Sequence, residues 1–326
     1  MTTHLERHRA EMERLAWPAV ADFVAAHPQY QVDADQSGST SVTNFVIFGQ
    51  HTLADGSVEP VVFKYFCQDE RKEREIFALR HFAATGLAPQ LLAEQGARLI
   101  VMTRLPGAFL PNAETAREEF SKLDATQIGY TLGQATATLL RVPLTASTAQ
   151  EFERRFYDGE TLTTYLGDIL AASHAIHQRV AYYRGATFGR SLAHIETHLA
   201  YILRQPRLLY HQDAMNMHFA GSRFVGFFDL EMCRVGTEAM QLGSLWQIFA
   251  GYDAWTGFAE GFANTTGRTL TAHDVEAGRA FAHFMVWRYI SDYGEWQGEP
   301  LDPAAMAALE QEAPAYQAWI ERNEQV

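Results

Sequence analysis

Two aspartates sixteen positions apart, Asp213 and Asp229, constrain this chain more than any other feature. The first follows Leu208-Leu209-Tyr210-His211-Gln212. The second ends Phe224-Val225-Gly226-Phe227-Phe228 and leads into Leu230-Glu231. Both apolar runs have the composition of buried strands and Gly221-Ser222 supplies a turn, so the spacing predicts a hairpin in which residues 224–228 pair with residues 208–210. The two carboxylates then emerge near each other at the mouth of an apolar floor. Carboxylates brought together in a partly dry site repel unless a cation lies between them or one keeps its proton.

The N-terminal third changes period twice. Leu5, Met12, Leu15, Ala16, Val20, Phe23 and Val24 recur at helical spacing, with Pro18 expected to kink or divide the helix and His27-Pro28 to end it. Strands are predicted from Gln31 to Phe66. Gln36-Ser37-Gly38-Ser39-Thr40-Ser41 and Ala54-Asp55-Gly56-Ser57 are turns, and Val61-Val62-Phe63-Lys64-Tyr65-Phe66 carries one lysine inside an apolar run. A strand lysine usually points to solvent. The helix predicted over Gln68–Ala84, closed by Thr85-Gly86, puts Glu75 inside its apolar arc near Leu79 and Phe82. An inward glutamate needs a positive partner, for which Lys64 is the candidate; a solvated acid is the alternative.

Two further strands, in Leu87–Leu92 and Arg98–Met102, precede Thr103-Arg104-Leu105-Pro106-Gly107, where Pro-Gly turn chemistry breaks the pattern. Beyond Pro111 the chain is predicted helical to about Arg204. His174, His177, His194 and His198 fall at spacings a metal could use, but no acid or cysteine joins them in a motif, and they read as surface or capping residues. Phe284, Trp287, Tyr289, Asp292, Tyr293, Glu295 and Trp296 mix aromatic with acidic character. Such a set either cages a cation or forms a buried stripe with a solvated far face, and both readings stand.

With 326 residues, 47% of them hydrophobic, the chain has room for two cores. A net charge of −13 argues against a nucleic-acid partner and is compatible with a cationic substrate. No apolar run is long enough to span a membrane, and the charged N-terminus shows no signal-peptide pattern. Cys67 and Cys233 read as reduced packing residues, so a cytoplasmic location is expected. A Mg²⁺-bound nucleotide would meet the electrostatic demand of the paired aspartates.

His211-x-Asp213, followed by an apolar strand ending in Asp229-x-Glu231, resembles the catalytic and metal loops of the kinase-like small-molecule phosphotransferases, the aminoglycoside phosphotransferase and choline kinase group. The resemblance implies an α+β, bilobal protein-kinase-like fold. A β-rich nucleotide-binding N-lobe with its N-terminal helix would span 1–103, a hinge 104–107, and a helical C-lobe with the catalytic loop and substrate site 108–326. It implies ATP (or GTP) and Mg²⁺ as cofactors, and transfer of the γ-phosphoryl group to a hydroxyl of a small molecule, an aminoglycoside or other amino-bearing acceptor. Asp213 would take the acceptor proton, Lys64 would hold the phosphates and Glu75 would hold Lys64. Gly38 and Ser39 would contact phosphate, while Met102, Thr103 and Leu105 would line the base pocket. Asp229 would bind the metal; Glu231 would stand behind the metal or meet the acceptor, and Trp287 and Asp292 would meet the acceptor. A monomer or homodimer is expected.

Two positions depart from the family pattern. Five residues after Asp213, where the family carries a metal-binding amide, stands His218; Asn216 lies two residues early. Either Asn216 reaches the metal, or His218 contacts a phosphate, or the second metal position is lost. Gln241 replaces the aspartate that braces the catalytic loop. These departures keep open a non-catalytic nucleotide-binding protein, beside a metabolic kinase for a sugar, amino alcohol or nucleoside.

Overall fold

The structure, a computed structural model, describes residues 4–33, 39–40, 44–111, 117–213, 216–252, 254–296 and 303–324. The chain divides into two compact units. The first comprises Met1–Ala108, Met217–Ala220 and Val225–Cys233; the second comprises Phe109–Asn216, Gly221–Phe224 and Arg234–Val326.

The first unit is an antiparallel sheet faced by a helix. Its strands are Tyr30–Val32 (β1), Ser39–Thr40 (β2), Asn44–Thr52 (β3), Val58–Phe66 (β4), Leu91–Gln95 (β5) and Leu99–Thr103 (β6), in the order β1-β3-β4-β6-β5 with β2 on β3. Alternation sorts the side chains onto two faces. Phe45, Ile47, Val61, Phe63, Leu99 and Val101 pack against Met12, Ala16, Val20 and Phe23 of the helix His4–Ala26 (α1). Pro18 does not divide α1, as the sequence suggested it could. The apolar stripe on either side of it is buried against the sheet, which offsets the lost intrahelical bond.

The opposite face carries Lys64. Its register partners are Val46 on one side and Ile100 on the other, and Val62, paired with Met102, lies on the same face. Helix Asp69–Phe82 (α2) follows β4 directly and continues as a single 3₁₀ turn, Ala83–Thr85, ended by Gly86 at φ 66°.

Gly107 has a positive φ of 84°, and a Cβ there would lie 2.3 Å from the Phe219 carbonyl oxygen. Only glycine allows the approach by which Ala108 and Phe219 exchange two backbone hydrogen bonds, at 2.9 and 2.8 Å. One strand pairing differs from the sequence expectation. Arg223–Phe227 (β9) pairs with Met217–Ala220 (β8) across Gly221-Ser222, whereas Leu208–His211 (β7) pairs with Cys233–Gly236 (β10). Met217 and Phe219 alternate inward, so residues 217–220 form a half-buried strand of their own and take the place assigned to β7.

The second unit is helical. It contains Arg117–Phe120 (α3), Ala125–Leu140 (α4), Ala146–Phe156 (α5), Leu162–Arg179 (α6), Ala186–Arg204 (α7), Glu238–Tyr252 (α8), Trp255–Thr266 (α9), Ala272–Trp296 (α10) and Pro303–Asn323 (α11). Asp124, Thr145 and Thr161 cap α4, α5 and α6 through their side chains. Trp287, Tyr183, Phe188 and Tyr165 lie in one buried cluster that draws on α6, α7 and α10. Among the described residues, no helix is long and apolar enough to cross a membrane.

Candidate active site

Lys64 lies near the C-terminal end of β4 on a face lined by apolar side chains, and α2 brings Glu75 inward on its buried side. Both are buried, at 3% and 0% relative exposure, so neither charge is solvated and each requires the other. Lys64 Nζ donates to Glu75 Oε2 and also to Asp229 Oδ1, and it stands 3.6 Å from Glu231 Oε2. Burial alone would pull the ammonium pKa down. Asp229, Glu75 and Glu231 reverse that, and Lys64 is held above its usual value. Burial raises the Glu75 pKa; Lys64 opposes the rise, and the neighbouring Asp229 and Glu231 reinforce it.

Asp229 adopts the left-handed conformation, φ 57° and ψ 52°, at the entry to the 3₁₀ turn Leu230–Met232. Aspartate tolerates this region better than most residues, but it is still strained. The turn sends Asp229 toward Lys64 and sinks Glu231 to 2% exposure. Glu231 Oε2 accepts from Asn44 Nδ2 at 2.7 Å, and its Oε1 accepts from Arg71 Nη1 at 2.8 Å. Nearby, burial pushes the Cys233 thiol well above its usual value, so it stays a packing thiol; Cys67 and Cys233 are not joined by a disulfide.

Among the described residues, the pocket brings together three carboxylates, Glu75, Asp229 and Glu231, and two cations, Lys64 and Arg71, that pair with them. Oxygen atoms of the three acids lie within 4.8 Å of one another, and Glu75 Oε1 is buried with no hydrogen-bond partner among the described residues. Negative charge on hard oxygen donors suits a small divalent cation such as Mg²⁺.

In the second unit, β7 delivers His211 and Asp213 to a loop. His211 is buried, and its backbone N–H donates to Gln241 Oε1 of α8 at 2.9 Å. The neutral amide thus supplies the acceptor at this position. Asp213 is exposed, and Asn216 Nδ2 donates to Asp213 Oδ2 at 3.1 Å. His218 belongs to the first unit, where its Nδ1 lies 3.4 Å from the Leu105 carbonyl oxygen and its ring centre 4.8 Å from that of Phe228.

Met102 is buried on the Lys64 face, and Thr103 Oγ1 accepts from the Gln90 backbone N–H at 2.8 Å. Gly38 and the side chains of Ser39 and Asp292 lie outside the described residues. Trp287 departs from expectation. It is fully buried, and Ser191 Oγ accepts its indole N–H at 3.0 Å, so it presents no surface to an acceptor. Sequence reasoning missed Asn44 and Arg71. The only signal for Asn44 was an amide opening an otherwise apolar strand, and Arg71 is one of several charges at the start of α2.

The fold and this arrangement of lysine and acids define a protein-kinase-like phosphotransferase architecture. The family model of the phosphotransferase enzyme family (APH) matches residues 54–282, and the chain belongs to that family. Solved structures with a similar fold include ADP-bound aminoglycoside phosphotransferase APH(2'')-Ib, with TM-score 0.60 and 14% identity over 93% of this chain and 98% of that one. Macrolide 2'-phosphotransferase MphH from Brachybacterium faecium, an apoenzyme, gives 0.59 and 17% over 94% and 98%. An ethanolamine kinase from Plasmodium vivax gives 0.57 and 12% over 97% of each chain. No curated protein sequence matches the chain.

Proposed function

We propose that this protein transfers the γ-phosphoryl group of ATP (or GTP) to a hydroxyl of a small, amino-bearing molecule, an aminoglycoside being the first acceptor to test. The observation that carries the reading is the buried Lys64, held by Glu75 and sharing its charge with Asp229. An ammonium kept charged on a dry sheet face is matched to anionic phosphate oxygens. When nucleotide binds, Lys64 exchanges Asp229 for phosphate while Glu75 keeps it in place. Asp229, with Glu231 behind it, would hold Mg²⁺, which supplies charge neutralisation across the phosphates. Asp213, exposed and oriented by Asn216, would accept the proton of the acceptor hydroxyl. The acidic net charge of −13 favours approach of a cationic acceptor, and cysteines without a disulfide suit a cytoplasmic setting.

A reading without turnover draws on His218, whose ring faces the Leu105 carbonyl and Phe228. One experiment separates the two. Purified protein is given Mg-ATP or Mg-GTP with aminoglycosides, macrolides, amino alcohols, sugars and nucleosides, and nucleoside diphosphate release is followed. Turnover with one acceptor class, abolished by Asp213→Asn while nucleotide still binds, supports the transferase. Tight nucleotide binding with no turnover, unaltered by Asp213→Asn, would establish the non-catalytic alternative.

A further inference from the structure

The histidines on α7 acquire an acid in three dimensions that they lack in sequence. His194 and His198 lie one turn apart on α7, and Glu276 reaches them from α10 in the same unit. Candidate ligand atoms of the three lie within 4.8 Å of one another, and all three side chains are half-buried. His194 Nε2 is 3.2 Å from Glu276 Oε2, and the ring centres of His194 and His198 are 5.0 Å apart.

The surroundings have the form of outer partners that orient metal ligands. Arg279 Nη2 donates to both oxygens of Glu276 at 2.5 Å, fixing the carboxylate. His283 Nδ1 stands 3.3 Å from His194 Nδ1, which leaves Nε2 as the nitrogen turned to Glu276. His198 Nδ1 is buried with no hydrogen-bond partner among the described residues. A buried imidazole nitrogen left without a partner costs stability unless a ligand uses it.

We propose that His194, His198 and Glu276 form a site for a divalent transition metal, Zn²⁺ by preference, that ties α7 to α10. Two imidazoles and one carboxylate suit Zn²⁺, Co²⁺ or Ni²⁺ and disfavour Mg²⁺ and Ca²⁺. A tetrahedral Zn²⁺ at about 2.0–2.1 Å from its ligands would hold them about 3.4 Å apart. Closing from 4.8 Å is then a side-chain adjustment. Water completes the coordination, or the exposed His273, whose ring centre is 5.4 Å from that of His198. The assignment involves none of the residues around Lys64 and stands independently of the proposed transferase activity.

The test uses the full chain, stripped with chelator and titrated with Zn²⁺ by calorimetry and with Co²⁺ by visible absorption. An Asp229→Asn background keeps the carboxylate pocket from contributing. One ion per chain, Co²⁺ bands of tetrahedral intensity and a melting temperature that rises with Zn²⁺ are expected. His198→Ala and Glu276→Gln should each lower Zn²⁺ affinity by more than the roughly 10- to 100-fold typical of losing an outer partner. His174→Ala, which removes a histidine paired with Glu196 elsewhere, should leave it unchanged. Glu276→Gln preserves volume, and circular dichroism of the metal-free variants verifies that they fold. Absence of stoichiometric Zn²⁺ binding, affinity unaltered in both site variants, or an equal loss in His174→Ala would overturn the assignment.

Discussion

Asn44 donates its side-chain amide to Glu231 across 187 positions of sequence, at 2.7 Å and out of solvent. This bond ties the first residue of β3 to the turn that carries Asp229. Asn44→Ala should leave a buried carboxylate oxygen short of a donor and destabilise the first unit by about 1–3 kcal/mol. Urea unfolding followed in the presence and absence of Mg-ATP would measure it; a loss below a few tenths of a kcal/mol would show that the bond contributes nothing.

Lys64→Met removes the cation shared by three acids. Breaking a buried pair from one side costs about 3–5 kcal/mol, and loss of a phosphate contact should lower kcat/KM by about 100- to 1,000-fold. The sign of the pH effect follows from Glu75. Lys64 opposes the rise that burial imposes on its pKa, so without Lys64 that pKa climbs further and the folded state binds more protons than the unfolded one. The variant's stability is then lost as pH rises through the raised value. Its melting temperature should fall further behind the parent at pH 8 than at pH 5.5, and an equal gap at both would refute this account.

Gln241→Ala deprives the His211 N–H of its acceptor and should cost about 1–3 kcal/mol. Gln241→Glu keeps the reach and an acceptor but puts an unpaired charge at a buried position, so its melting temperature should also fall and should recover as pH drops and the carboxyl takes up a proton. If both variants melt with the parent, the brace has no energetic role.

His81, at the end of α2, is packed against Phe82 with ring centres 4.9 Å apart, and its buried Nε2 has no partner among the described residues. Burial lowers its pKa below the usual 6.5. The unfolded chain therefore takes up the proton first as pH falls. The stability this histidine contributes is complete above about pH 6.5 and declines as pH drops toward its folded value. His81→Leu should flatten that decline. Urea midpoints at pH 7.5 and 5.5 give the comparison, and a variant with the parent's slope would assign the acid sensitivity elsewhere.

The proximity of Lys64 and Glu75 was legible because two periodicities had to agree. A single lysine interrupted a continuous apolar run of strand-forming residues, and a glutamate fell within the apolar arc of the next helix. The pairing of β7 was not legible. Residues 208–210, 217–220 and 224–228 are all short and partly apolar, and register between such runs is set by contacts outside them. Trp287 could not be told from a cation cage, since a buried stripe and a binding wall use the same residue types. The acid beside His194 and His198 was hidden for a simpler reason. Glu276 is brought to them by the packing of α7 on α10, and nothing at a fixed offset in sequence announces it.

The left-handed backbone at Asp229 makes two demands on one position. Glycine and asparagine would sit in that turn at ease and carry no charge. Glutamate would keep the charge and meet the penalty of about 1–2 kcal/mol that most L-residues incur there. Saturation mutagenesis at this codon would therefore sort its survivors along two axes, thermal tolerance and nucleotide affinity, with aspartate alone scoring well on both.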